Sequence, residues 1–169
     1  KHRRLYGIGY SNHYELLKNG VLQGYSGERY RGEATTLYTM HHFSRHYEIP
    51  ENMRRAMPDI RLIYQIRHPL ERMASHYRQM RNTGRITGDF ASFIHNDAYA
   101  LPNTLYFDQL NVYLKHVPAE HLCITQLESF TQDQQLVFKS IQDFLDLPYA
   151  ELKKPLKAYN TTSHTSSLT

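Results

Sequence analysis

Between Ile60 and Met80 the chain reads IRLIYQIRHPLERMASHYRQM. The apolar run Leu62-Ile63-Tyr64-Gln65-Ile66 reads as a buried strand, and Arg67-His68-Pro69 breaks it into a helical pattern. Proline suits the first helical turn because its missing N–H would lack an intrahelical partner there in any case. Strand, turn and helix therefore follow one another almost without a loop. Such a junction puts unpaired backbone N–H groups and the positive end of a helix dipole at the strand's carboxyl edge, where open α/β sheets bind anions and nucleotides. Arg67 stands at the mouth. Ser75 comes two helical turns later on roughly the same face as His68, since seven residues at about 100° each nearly close two turns. A guanidinium and a hydroxyl can then converge on one oxyanion. An ordinary strand-to-helix turn with a solvated arginine would show the same spacing.

Arg67, Pro69, Arg72, Ser75 and Tyr77 form R-x-P-x-x-R-x-x-S-x-Y behind an apolar strand. This resembles the 3′-phosphate-binding segment of sulfotransferases that use 3′-phosphoadenosine 5′-phosphosulfate (PAPS). The resemblance implies that Arg67 and Ser75 grip the 3′-phosphate. His68 stands where that family usually has Asp or Asn, a departure that weakens the helix cap more than the phosphate grip. Ser11-Asn12-His13-Tyr14 is similar to the family's K-E-x-H-F-F-like segment, with Ser11 in place of the glutamate, so a base role toward the acceptor falls to His13. Sulfuryl transfer requires the acceptor's proton to leave as its oxygen attacks, and an imidazole titrating near neutrality is matched to that task. Glu33, in Gly32-Glu33-Ala34-Thr35, matches the acidic residue that orients the histidine in some members, although Ala34 replaces a frequent lysine. A carboxylate on one imidazole nitrogen fixes the tautomer and raises the basicity of the other. Glu33 as a helix cap or a solvated side chain is the alternative.

The resemblance continues along the chain. Leu105 to Leu114 is similar to G-x-Y-x-x-Q-L-x-x-[WY]-L without its glycine, with Tyr106 either lining the acceptor cleft or filling core. His121 to Glu128 reads as a second apolar strand and is similar to x-L-L-V-L-R-Y-E-D-L. Thr131 to Leu147 reads as one helix, with Val137, Ile141, Phe144 and Leu145 on one face and Pro148 ending it. Shorter helices are expected at Glu51 to Met57 and from Asp89. In the tail, Asn160 and Thr161 resemble part of the loop that closes over the nucleotide. The family's phosphosulfate loop, K-x-G-T-T/S-x-L opening a helix, does not occur within the 169 residues. The resemblance, which runs almost without break from His13 onward, favours a native protein with a further N-terminal piece over one unable to transfer sulfate.

Composition sets outer bounds. A chain of 169 residues is expected to form a single domain, 1–169, with a sizeable core. A formal charge of +4 suits phosphate-bearing ligands without demanding nucleic acid. The single cysteine, Cys123, excludes an internal disulfide framework. His42 and His46 have the i,i+4 spacing of a metal pair but no H-E-x-x-H context, so they read as a solvated face. No run of eighteen apolar residues spans a membrane.

The alternation of helices and strands predicts an α/β fold, a three-layer parallel sheet flanked by helices of the P-loop-NTPase-like, sulfotransferase-like kind. The resemblance implies in-line transfer of a sulfuryl group from PAPS to a hydroxyl on a small-molecule, carbohydrate or carrier-bound acceptor, with PAP as product and no metal. A bacterial protein of this kind would be cytoplasmic, a eukaryotic one would work in the Golgi lumen. Two rival readings stand beside it: a degenerate module that binds a nucleotide or polyanion without chemistry, and a nucleic-acid-binding domain using Arg54, Arg55, Arg67, Arg72, Arg78, Arg81 and Arg85, whose affinity would fall steeply with salt.

Overall fold

The structure is a computed structural model that describes residues 26, 27, 29, 30, 32, 34, 36–40 and 48–157. In chain order the described elements are a 3₁₀ turn at Thr36–Thr39, helix α1 (Ile49–Ala56), strand β1 (Leu62–Ile66), α2 (Pro69–Asn82), α3 (Phe90–Asn96), a 3₁₀ turn at Pro102–Thr104, α4 (Tyr106–Leu114), a 3₁₀ turn at Ala119–His121, β2 (Leu122–Gln126), α5 (Leu127–Gln132) and α6 (Gln134–Phe144). The chain divides into two compact units, Lys1–Ile60 with Phe107–His121 and Arg61–Tyr106 with Leu122–Thr169. Each is made of two stretches separated in sequence, so neither can be excised as one continuous piece.

In the first unit, α1 begins two residues earlier than the expected Glu51, with Pro50 inside the first turn where its lack of an N–H costs nothing. Glu51 in that turn and Arg54 and Arg55 in the last complement the helix dipole. Ile49, Pro50 and Met53 turn inward, as do Tyr113 and Val117. The Tyr113 hydroxyl donates to the Tyr38 carbonyl at 2.7 Å, and His121 Nδ1 lies 3.1 Å from the Ile60 carbonyl.

The second unit holds the sheet. β1 and β2 pair in parallel, from Leu62 beside Leu122 to Ile66 beside Gln126. Parallel neighbours need a long crossover, and the connection between these two contains α2, α3 and α4. The arrangement is parallel α/β, as the alternation of patterns predicts. β2 is shorter than the expected His121 to Glu128: His121 closes a 3₁₀ turn through its N–H to the Pro118 carbonyl, and Leu127 already begins α5. The helix expected from Thr131 to Leu147 is instead two. Asp133 sits between them in extended backbone (φ −148°, ψ 93°), and its carboxylate accepts the Leu136 N–H at 2.9 Å, capping α6.

α6 ends before Pro148 for a local reason. Asp146 takes a left-handed φ of 51°, while the Leu147 N–H reaches the Gln142 carbonyl at 2.9 Å and the Asp146 N–H the Asp143 carbonyl at 3.2 Å. These are the two bonds of a Schellman motif, and aspartate is among the few non-glycine residues that tolerate its left-handed position. Arg61 completes the end: it donates to the Phe144 carbonyl and pairs with Asp146 at 2.7 Å, a cation at the negative end of the helix.

The core of this unit forms where α2 meets α3. Tyr77, Phe93 and Ala100 are buried, with Met80, Ile86, Phe90 and Ile94 packed against them. Phe90 and Phe93 share a face at i,i+3, and Asp89 caps their helix by accepting the Ser92 N–H at 2.7 Å. Tyr77 is fully buried (0% exposed), and its hydroxyl donates to the Gly88 carbonyl at 2.9 Å while accepting from Arg81 Nη1 at 3.0 Å. No helix of the described residues is long and apolar enough to cross a membrane.

Tyr77→Phe removes one donor and one acceptor from a buried position while preserving the ring packing. Its unfolding free energy, measured by urea denaturation, is expected to fall by about 1–2 kcal/mol; an unchanged midpoint would mean the hydroxyl network contributes nothing.

Candidate functional site

The junction expected to bind an anion is present, and its first N–H is already engaged. β1 ends at Ile66, Arg67 forms the turn, and His68 is the N-cap of α2 with Pro69 at the first helical position. The residue before a proline is pushed out of the helical region, and His68 accordingly has ψ 123°. Its side chain makes no cap bond. Instead the His68 backbone N–H donates to Glu128 Oε1 at 2.9 Å, across sixty positions of sequence. With Pro69 having no N–H, Leu70 and Glu71 carry the remaining first-turn donors that lack an intrahelical partner.

Arg67 is 31% exposed and its Nη2 lies 3.5 Å from Glu71 Oε2, an i,i+4 pair of the weak surface kind. Ser75 is half-buried in the second turn of α2, beside the inward-facing Met73 and Ala74. The Glu128 carboxyl is held below the usual carboxylate range by the His68 N–H first, then by its own backbone N–H, with the charges of Arg67 and His68 adding to the effect. Glu128 belongs to the phrase similar to R-Y-E-D-L, which is the one signal in the sequence that could have singled it out. His13, Glu33, Asn160 and Thr161 lie outside the described residues, as do His42 and His46. Among the described residues no group of three or more His, Cys, Asp or Glu side chains could hold a metal.

A second set of polar side chains gathers on the inner flank of α2. Arg72 Nη1 donates to the Ala100 carbonyl at 3.1 Å, and burial lowers the guanidinium's pKa, with Tyr106, Tyr64 and Asp97 acting the other way. The Tyr64 phenol is pushed well above its ordinary range by burial and by Tyr106, whose ring meets it edge-on with centroids 6.4 Å apart. His76, one turn beyond Arg72, has its edge against Phe93 with ring centroids 5.2 Å apart and a buried Nδ1 without a hydrogen-bond partner. Burial pushes its imidazole down, Asp97 opposes that, and Arg72 reinforces it. Tyr64 therefore stays protonated and His76 neutral. Arg72 and Arg81, two of the arginines available to the nucleic-acid reading, are turned to the protein itself.

A family model described as "Sulfotransferase family" matches residues 11–151. The crystal structure of a sulfotransferase from Alicyclobacillus acidocaldarius aligns with a TM-score of 0.72 at 22% identity. The alignment covers 92% of this chain and 64% of that one, so the present sequence spans a little under two thirds of the relative's length. At that identity the likeness carries the fold, the parallel α/β arrangement of a sulfotransferase. No curated protein sequence matches the chain.

The neutral state of His76 has a consequence for stability. Its imidazole titrates below the ordinary 6.5 in the fold, so the unfolded chain takes up a proton first as the pH drops. Stability present above pH 6.5 is lost as the pH falls through the lower, folded value. His76→Leu is expected to flatten the wild-type decline in unfolding free energy as the pH falls below about 6.5; parallel curves for the two proteins would show that His76 is not held neutral.

Proposed function

Since this chain belongs to the sulfotransferase family, we propose that it moves a sulfuryl group from PAPS to an acceptor hydroxyl by in-line displacement, as part of one domain over residues 1–169. The observation that carries this reading is the β1–turn–α2 junction within the matched span, with Arg67 at its mouth and Ser75 on the helix behind it. The residues fit a phosphate: Arg67 is partly exposed, its only ion pair among the described residues is a 3.5 Å contact with Glu71, and two first-turn N–H groups stand beside it.

In this reading Arg67 and Ser75 hold the 3′-phosphate, and Asn160 and Thr161 close over the nucleotide. His13 takes the proton of the acceptor hydroxyl as its oxygen bonds to sulfur, and Glu33 orients the imidazole. The bond that breaks joins sulfur to the oxygen of the 5′-phosphate, so PAP departs with that oxygen and its charge. The acceptor is a hydroxyl on a small molecule, a carbohydrate or a carrier-bound chain. The reaction asks for no metal, because arginine, hydroxyl and backbone donors can meet the negative charge of the donor.

Isothermal titration with PAP should show binding that Arg67→Ala weakens at least about tenfold, the size expected on losing charge-assisted bonds worth about 1.5–3 kcal/mol. Equal affinity in the variant would remove the phosphate grip. His13→Ala is expected to slow transfer by about 10²–10⁴-fold with PAP affinity unchanged; a near wild-type rate would eliminate His13 as the base.

A further inference from the structure

The His68 side chain makes no cap bond at the turn that carries Arg67. In a capping box, the side chain at the third helical position reaches back to the N-cap N–H. Here that position is Glu71, which lies beside Arg67 at 3.5 Å, and the N–H of His68 goes to Glu128 at 2.9 Å. The parallel register explains how Glu128 gets there. Ile66 pairs with Gln126 at the ends of the strands, and each chain then advances two residues, to His68 and to Glu128. Glu128 lies in the first turn of α5, and the Thr131 hydroxyl bonds back to its carbonyl at 2.7 Å, so the carboxylate is delivered from an ordered turn.

We infer that Glu128 is a positioning residue for the donor phosphate: as a hydrogen-bond acceptor it holds the Arg67–His68 turn in place, and as an anion it opposes the phosphate gripped there. This rests on the reading of Arg67 and Ser75 as the phosphate grip. The two effects have opposite signs. Arg67 already has Glu71 as an ion-pair partner and Glu128 within electrostatic reach, so an arriving phosphate meets two carboxylates around one guanidinium. The hydrogen bond works the other way, because an Arg67 turn free to move would lose entropy on binding that the fastened turn has already given up.

Glutamine separates the two effects, since it keeps an acceptor oxygen at the same place and drops the charge, whereas alanine removes both. With PAP in isothermal titration on the whole chain, Glu128→Ala is expected to bind about three- to tenfold more weakly than wild type. Glu128→Gln should bind at least as tightly as wild type, and up to a few-fold more tightly at low salt. The His68 amide resonance should move upfield further in Glu128→Ala, which loses the acceptor, than in Glu128→Gln, which keeps a neutral one, independently of nucleotide. Equal PAP affinity in all three proteins, or a glutamine variant as weak as the alanine one, overturns the inference while leaving the phosphate grip standing. Failure of wild type to bind PAP removes the grip and the inference together. If the alanine variant does not fold, the comparison of glutamine with wild type at low salt decides alone: tightening supports the role, parity or weakening ends it.

Discussion

The pairing of two five-residue strands in parallel is what the candidate site depends on. Parallel strands end at the same edge of a sheet, so both chains leave β1 and β2 on one side and turn into helices there. With Ile66 beside Gln126, the residue two positions past each strand is His68 on one chain and Glu128 on the other, and a single hydrogen bond closes the gap. A slip of one residue would send every side chain of a strand to the opposite face and move Glu128 out of reach. The geometry around Arg67 is therefore a property of the register as much as of the R-x-P motif.

Part of what depends on neighbours in sequence is legible from the residues alone. The β1 strand, the turn at Pro69 and the helix behind it follow from an apolar run, a proline and a helical period, and they are found where those signals lie. The failures have local causes as well. Asp133 falls inside the span expected as one helix, Thr131 to Leu147, but an aspartate can satisfy an N–H group of the turn after it, and the helix divides there in two. The expected strand around Cys123 overruns the observed one at its C-terminal end because apolar character returns at Leu127, which already belongs to α5. Glu128 escaped notice for a different reason: its partner is sixty residues away, and nothing in a local pattern reports such a contact.

Three arginines of one helix and its turn show how far environment, and not spacing, assigns a role. Arg67 projects where solvent reaches it and has only a weak surface pair with Glu71. Arg72, five positions on, is drawn inward to the Ala100 carbonyl and ties α2 to the segment after α3. Arg81 lies over the ring of Tyr77, with its guanidinium carbon 5.7 Å from the ring centroid, and donates to that hydroxyl. All three look like available cations in the sequence. Only the first retains donors at the sheet edge, and that contrast favours a small phosphate-bearing ligand over an extended polyanion, which would draw on many arginines at once.

The histidine at the head of α2 shows the same logic at the scale of one bond. Where the resembling family has Asp or Asn, a side chain can cap the helix from its own N-cap position. His68 does not do so here, and its N–H is met by Glu128 in the first turn of α5. A local cap works whatever the rest of the chain does, because donor and acceptor sit within one turn. A cap supplied across the sheet forms only once β1 and β2 are in register, so the Arg67 turn is fastened by the folding of the whole unit and not by the helix alone. Glu128 and Glu71 together set two carboxylates beside the Arg67 turn. On that inference the turn gains order and loses attraction for anions through the same side chain, with Arg67, the partner of Glu71, placed to offset the loss.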